Sequence, residues 1–325
     1  MLNTADFVTV TTDYIKNFYH KHYEVPLENI IAVPNLLPRF WFGDKYDVDK
    51  KVEQFKKNKA KPRVGIVSSL SHYNVDNVME DKNGLAARKK QKPDGSFAWI
   101  NEHNEEINES DLHKITDDFD DIAECVRSTV NDFQWVFFGY CPPQVKDLAE
   151  ARKVEVYNGV PLLNYASTFY NLGLQAVVAP IKKTEFNFCK SYIKTMECAA
   201  LGVPLYATNC LPYDRVMPAD RLFNDSTDLK EKLLKMKFMS VGSYKSMVES
   251  QWKWLNSPCH EGDFDIKNYW LEDNLNNVWI PLFKLRQKGF RMSLSNFASQ
   301  YNKRKADEEK KTIFKSESGE AKITL

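Results

Sequence analysis

Asn187, Lys190, Ser191, Lys194 and Glu197 gather an amide, two ammonium groups, a hydroxyl and a carboxylate in one short stretch, FNFCKSYIKTMECAALGVPLYATNCLPY. Residues 191–200 have helical spacing, ended by Gly202 and Pro204. On a helix, Lys190, Lys194 and Glu197 fall at i, i+4 and i+7 and share a face, with Asn187 just before it. Cys189, Ile193, Met196 and Ala200 form a separate apolar stripe suited to packing on a sheet. Cations at a helix N-terminus oppose the macrodipole unless an anion sits there, so the chemistry indicated is anion binding. A Lys194–Glu197 surface pair on a solvated helix face is the plain alternative.

These residues need a scaffold, and the flanking runs supply it. LQAVVAP (174–180) and VPLYAT (203–208) are short, apolar and β-branched, as buried parallel strands are. The polar loop and helix therefore start at the carboxyl end of a parallel strand, where open α/β sheets place ligands.

The earlier chain repeats this alternation. ADFVTVTT (5–12) reads as a strand, DYIKNFYHKHY (13–23) as an amphipathic helix capped by Thr12 or Asp13, and NIIAVPN (29–35) as a second strand. LLPRFWFGDKYD (36–47) makes an aromatic-packed hinge, and the lysine-rich residues 50–61 a solvated helix and linker face. KPRVGIVSSLSHYN gives a buried strand at 63–67 and a serine-rich loop. Ser68, Ser69 and His72 lie where the first loop of a Rossmann-like half meets its ligand. His72 suits a supporting role as well as a direct one. No GxGxxG follows the strand, so the dinucleotide fingerprint is absent.

Residues 74–115 read as a charged hairpin insertion turning at Pro93-Asp94-Gly95. DDFDDIAECVRSTV (117–130) is a helix burying Phe119, Ile122 and Val126, its aspartates suited to the helix start and not to a metal. FQWVFFGY (133–140) is a strand whose Gly139 marks close backbone approach, and PPQVKDLAEARK a helix after two prolines. VEVYNGV (154–160) is a strand and turn, and PLLNYASTFYNLG (161–173) a helix with Leu162, Leu163, Ala166, Phe169 and Tyr170 as its apolar side. An edge strand (221–225), two helices with Trp252 and Leu255 inward, and a long helix over 268–290 kinked by Pro281 complete the order. From about residue 302 the tail is polar without periodicity.

The central stretch resembles the donor-binding helix of retaining GT-B glycosyltransferases, the family-4-like group in particular. That group shares Asn, Lys-Ser, Lys and Glu ahead of a small-residue helix end, Gly-x-Pro and a buried strand. Many members carry two glutamates eight positions apart. Glu197 matches the second, while the first position holds Cys189, with Glu185 four residues earlier and Asn187, Lys190 and Ser191 in its place. The resemblance implies a Rossmann-like doubly wound parallel sheet, the GT-B C-terminal half, with a short N-terminal βαβ remnant at residues 1–45. Residues 46–301 would be the nucleotide-sugar domain, ending in the crossing helix, and 302–325 a disordered tail. Most of an acceptor-binding half would be missing.

By the same resemblance, Lys190 and Glu197 are the catalytic residues, Glu197 holding the ribose hydroxyls. Lys190, Ser191, Lys194 and the helix start hold the diphosphate. Ser68, Ser69 and Gly139 line the cleft, Asn158 and Val160 receive the base, and His72 and Glu185 stand near the sugar. The implied activity is transfer of a hexose or pentose from a nucleotide-diphosphate sugar, retaining, with no bound metal and no cofactor beyond that co-substrate. A partner chain or a homo-oligomer would complete the acceptor side. A non-catalytic nucleotide-sugar-binding or assembly subunit, a split or degenerate half, is the alternative. Viral and phage relatives exist, some modifying nucleic-acid bases, which would place the protein in a host cytoplasm.

Composition narrows the classes. The 325 residues hold 43% hydrophobic and 13% aromatic side chains, enough for a sizeable core, and a net charge of +1 gives no electrostatic case for nucleic acid or an anionic membrane. No apolar run nears the ~20 residues of a membrane span, and no signal peptide is evident. The 6 cysteines lack metal-ligand spacing and suit reduced thiols, so a cytoplasmic location is expected.

Overall fold

The structure, a computed structural model, describes residues 8–69, 72, 79–81, 86–101, 103–114 and 117–280. The Pro281 kink and the polar tail lie outside the described residues. The chain opens with β1 (Val8–Val10), α1 (Asp13–Tyr23), β2 (Ile30–Ala32), α2 (Arg39–Phe42) and α3 (Val48–Lys57). Then come β3 (Arg63–Ser68), β4 (Met79–Asp81), β5 (Ala86–Gln91), β6 (Phe97–Asn101), β7 (Glu106–Ile107) and β8 (Leu112–Lys114). The central alternation is α4 (Ala123–Thr129), β9 (Gln134–Gly139), α5 (Lys146–Glu150), β10 (Glu155–Asn158), α6 (Leu162–Asn171) and β11 (Ala176–Ala179). It continues through α7 (Glu185–Phe188), α8 (Ile193–Ala200), β12 (Leu205–Thr208), β13 (Leu222–Phe223) and α9 (Ser226–Phe238). α10 (Val241–Leu255), β14 (Cys259–Glu261), β15 (Phe264–Ile266) and α11 (Leu271–Asn274) close the order, followed by a π-helical turn, Leu275–Trp279.

Two compact units divide the chain. One comprises Met1–Arg39, Cys189–Ser191 and Leu255–Leu325, the other Phe40–Phe188 and Tyr192–Trp254. The first is built on β1 and β2, paired in parallel around α1, with Val10, Val25, Ile30 and Ala32 buried between them. Thr12 starts α1 by accepting the Ile15 amide at 3.2 Å, as an N-cap does. The β14–β15 hairpin is tied to β2 by Asp263, which accepts from the Ala32 amide and from Lys16 Nζ, both at 2.8 Å.

The second unit is a six-stranded sheet in the order β10-β9-β3-β11-β12-β13, every pair parallel. Counted along the chain this is 3-2-1-4-5-6, the doubly wound α/β arrangement, with its topological switch between β3 and β11. The expected fold class is the one observed. Continuous apolar runs make the strands, since a parallel sheet is covered on both faces. Trp135, Phe137, Val64, Ile66, Ala176, Val178 and Tyr206 face one layer, closed by Phe119, Ile122 and Val126 and by Leu229, Leu233 and Met236 of α9. Asp225 caps α9, accepting from the Asp228 amide at 2.9 Å. Asp225→Ala is expected to cost about 1 kcal/mol in urea unfolding, and an unchanged midpoint would mean that solvent replaces the cap.

Several expectations are corrected. Residues 74–115 hold more than a hairpin: β4 to β8 form a five-stranded antiparallel sheet ordered β7-β6-β5-β4-β8, of which the Pro93–Gly95 turn joins β5 to β6. The helix expected over 117–130 begins only at Ala123, after a 3₁₀ turn at Asp120–Ile122. Leu162 and Leu163 are 65% and 74% exposed and do not pack, although Ala166 and Phe169 do. Lys51, expected in solvent, is 1% exposed, with Nζ 4.6 Å from the centre of the Tyr170 ring. The terminal helix gives way after one turn of α11 to the π-helical turn.

Candidate functional site

Parallel pairing aligns the carboxyl ends of neighbouring strands. Ser68 is in register with Gly139, and Gly139 with Asn158, so three predicted ligand residues form a row across β3, β9 and β10. Gly139 has φ +105°, and a Cβ there would meet the Ser68 carbonyl oxygen at 2.2 Å. Only glycine allows the two strand ends to approach so closely. Ser69 and Asn158 are exposed, and Val160 is half-buried in the following turn.

At the switch point between β3 and β11 lies a cleft of about 40 Å³ lined by Ser68, His72, Asp118, Lys194 and Tyr213, among others. This volume holds a few water molecules or one small polar group. Asp118 organises one wall. It is 7% exposed, and its Oδ2 lies 2.8 Å from His72 Nδ1. Its Oδ1 accepts from the Lys182 amide at 2.7 Å and from Asn187 Nδ2 at 2.8 Å. The carboxylate thus joins the loop after β3 to the loop after β11. With Nδ1 directed at Asp118, the imidazole is fixed in orientation. Asn187 is 4% exposed, and its Oδ1 is buried without a partner among the described residues.

Lys194 organises the other wall. Its Nζ donates to Glu197 Oε2 at 2.6 Å and to Tyr165 Oη at 2.8 Å, and Tyr165 Oη donates to the same carboxylate oxygen at 3.0 Å. Tyr165 is held by Phe138, stacked at 5.8 Å, and by Phe169 at 5.9 Å. Burial opposes the charge on Lys194, but Glu197 and then Tyr165 outweigh it and raise its pKa above the usual lysine range. Burial raises the Tyr165 phenol likewise, with Lys194 opposing. The result is a protonated Lys194 held in the first turn of α8 by its ion pair with Glu197 and its bond to Tyr165.

The structure does not place all predicted residues on one helical face. α8 begins at Ile193, and Lys190 and Ser191 precede it in non-helical backbone. They group with the N-terminal unit, where Asn35 Nδ2 donates to Ser191 Oγ. Asn187 belongs to the separate α7, as does Glu185, which is exposed. The expected apolar stripe is also redrawn. Met196 and Ala200 are buried, but Ile193 is 37% exposed and Cys189 lies outside the helix; Thr195, Cys198 and Ala199 complete the buried face. Asp118, Tyr165 and Tyr213 were not anticipated as site residues. Asp117 and Asp120 do serve the helix start, Asp117 accepting from the amides of Phe119 and Asp120. Among the described residues no acidic, histidine or cysteine group could hold a metal, and no helix is long and apolar enough to cross a membrane.

No family model matches the chain, and no curated protein matches it. Among solved structures it is similar to HepE (Alr3699) of Anabaena in complex with UDP and glucose, with 9% identity and a TM-score of 0.47. It covers 77% of this chain and 57% of that one. A glycosyltransferase from Rickettsia africae shares 10% identity over 87% of this chain and 64% of that one, with a TM-score of 0.47. A variant of the wall teichoic acid polymerase TagF shares 9% identity over 93% of this chain and 60% of that one, with a TM-score of 0.33. The chain thus spans less than two thirds of the length of each.

Proposed function

We propose that the chain binds a nucleotide-diphosphate sugar and serves as the donor half of a glycosyltransferase. The observation that carries this reading is the crevice at the β3–β11 switch point, bordered by the anchored His72 and by Lys194, whose hollow of about 40 Å³ has room for one phosphate-sized group of the donor. Doubly wound sheets bind their ligands in that crevice. Lys194 is the proposed ligand of the diphosphate, and Lys190 and Ser191, which precede α8 in the chain, are proposed by their sequence positions alone. Glu197 already takes both hydrogen bonds from Lys194 and Tyr165 on Oε2, so Oε1 is the oxygen proposed for the ribose hydroxyls.

Transfer breaks the bond between the sugar's anomeric carbon and the diphosphate, and an acceptor oxygen takes its place. The positive charge steadies the departing diphosphate, a contribution that grows as charge develops in the transition state. Retention of configuration and independence of metal are part of the proposal.

Titration of the full chain with UDP, GDP and UDP-glucose tests it. Micromolar binding is expected, weakened about tenfold, or about 1.4 kcal/mol, by Lys190→Ala, Lys194→Ala or Glu197→Ala. Absence of binding to a folded chain would sink the reading. Binding without turnover on any acceptor would favour the binding-subunit alternative.

A further inference from the structure

We propose that a second copy of this chain pairs with the outer edge of β10, antiparallel and about a twofold axis, joining two six-stranded sheets into one. This inference does not depend on the nucleotide reading. β10 (Glu155–Asn158) ends the large sheet on one side and is bonded to β9 alone. An open edge is a template for another strand, and monomeric proteins guard it with lysine, proline, a bulge, brevity or a covering element. The opposite edge is guarded in this way, since β13 has two residues, Leu222 and Phe223, both buried. β10 has no such guard: it contains neither lysine nor proline, and Val156 and Tyr157 are 43% and 39% exposed.

Charge says what covers this edge. Between Lys153 and Lys182 the sequence holds one charged residue, Glu155. Its carboxylate is already neutralised within the chain, by Arg63 in a two-pronged pair at 2.7 and 2.8 Å and by the Tyr157 hydroxyl at 2.8 Å. The edge therefore fits an uncharged strand of the same length, and an identical strand meets that requirement by symmetry. Antiparallel pairing centred on Tyr157 sets that ring against its own copy, Val156 opposite Asn158 and Glu155 opposite Gly159. The one acidic side chain never faces its like, and an aromatic pair stands at the centre, where cross-strand contacts stabilise a sheet. A strand of four residues makes a small interface, so the pair is a reversible dimer and not an obligate one.

Sedimentation velocity of the full chain across the micromolar range provides the test. A concentration-dependent monomer–dimer equilibrium with a micromolar constant is expected. Val156→Lys and Tyr157→Lys each place a cation on the edge and should raise that constant about tenfold or more. Phe238→Lys, at an apolar position on α9 that is 72% exposed, should leave it unchanged. Circular dichroism melting establishes that each variant is folded. On oxidation, Tyr157→Cys should give a dimer whose peptide map links residue 157 to residue 157, with the oxidised parent as control. A chain that stays monomeric at every concentration overturns the proposal. A dimer that both folded edge variants leave intact, or that Phe238→Lys dissolves equally, overturns it as well. If both edge variants unfold, the linkage decides: its absence from an oxidised Tyr157→Cys dimer places the interface elsewhere.

Discussion

Lys51→Met is expected to raise stability by about 2 kcal/mol near neutral pH and to remove a rise in stability above pH 8. Lys51 is buried in α3, and its Nζ has no hydrogen-bond partner among the described residues. Burial, aided by the neighbouring Lys50 and opposed by Asp47, lowers its pKa from 10.5 to about 8. In the unfolded chain the lysine keeps its proton up to about 10.5. Between those values the unfolded state binds more protons, so stability climbs with pH and then levels off. Below pH 8 the folded protein bears the whole cost, about 3 kcal/mol at about 1.4 per pH unit. The Tyr170 ring beneath the ammonium returns about 1 kcal/mol. Methionine preserves the apolar stem that packs beside Gly202. Urea unfolding of both proteins from pH 7 to pH 10.5 provides the measurement. Parallel pH profiles would show that Lys51 keeps its proton in the folded state.

The second large effect is at Asp118. Asp118→Ala is expected to cost about 3 kcal/mol or more, because the Lys182 amide and Asn187 Nδ2 lose their shared acceptor inside the protein. Asp118→Asn keeps the shape but turns one acceptor into a donor, and about 1–2 kcal/mol is expected. His72→Ala removes a side chain that is 29% exposed, and stability should change by less than about 1 kcal/mol. Nucleotide binding should fall in all three. A loss of stability under about 1 kcal/mol in Asp118→Ala would mean that water replaces the carboxylate and that the network does not hold the cleft.

The sheet was legible because its strands advertise themselves. AVVA, LYAT and QWVFFG are unbroken apolar runs that only a two-sided sheet can bury, and their alternation with helices dictates the crossover order. Gly139 was legible as a close approach and Ser68 as a cleft residue, though that the two meet was not. The helix start was misread because Ser191, a common cap residue, does not cap α8: its hydroxyl accepts from Asn35, and Tyr192 takes the cap position. Spacing alone therefore carried Lys190 onto a face it does not share. His72 and Asp118 stand 46 residues apart, across the inserted strands, and no local period connects them. Asp118 was hidden among aspartates of which Asp117 and Asp120 do the ordinary work of a helix start. Lys51 follows the opposite logic: its residue type says solvent, but its position on α3, next to Val52 and one turn before Phe55, says core, and packing prevailed.

The five-stranded insertion has a topological consequence. The chain departs just after His72 and returns at Asp118, where the Asp118 amide donates to the His72 carbonyl at 3.3 Å and the two side chains meet again at 2.8 Å. The two ends of the insertion are thus joined by hydrogen bonds at one point. Loop length costs little once the ends are fixed, and different cargo can be spliced between them with modest penalty. The port for that cargo is also a wall of the cleft.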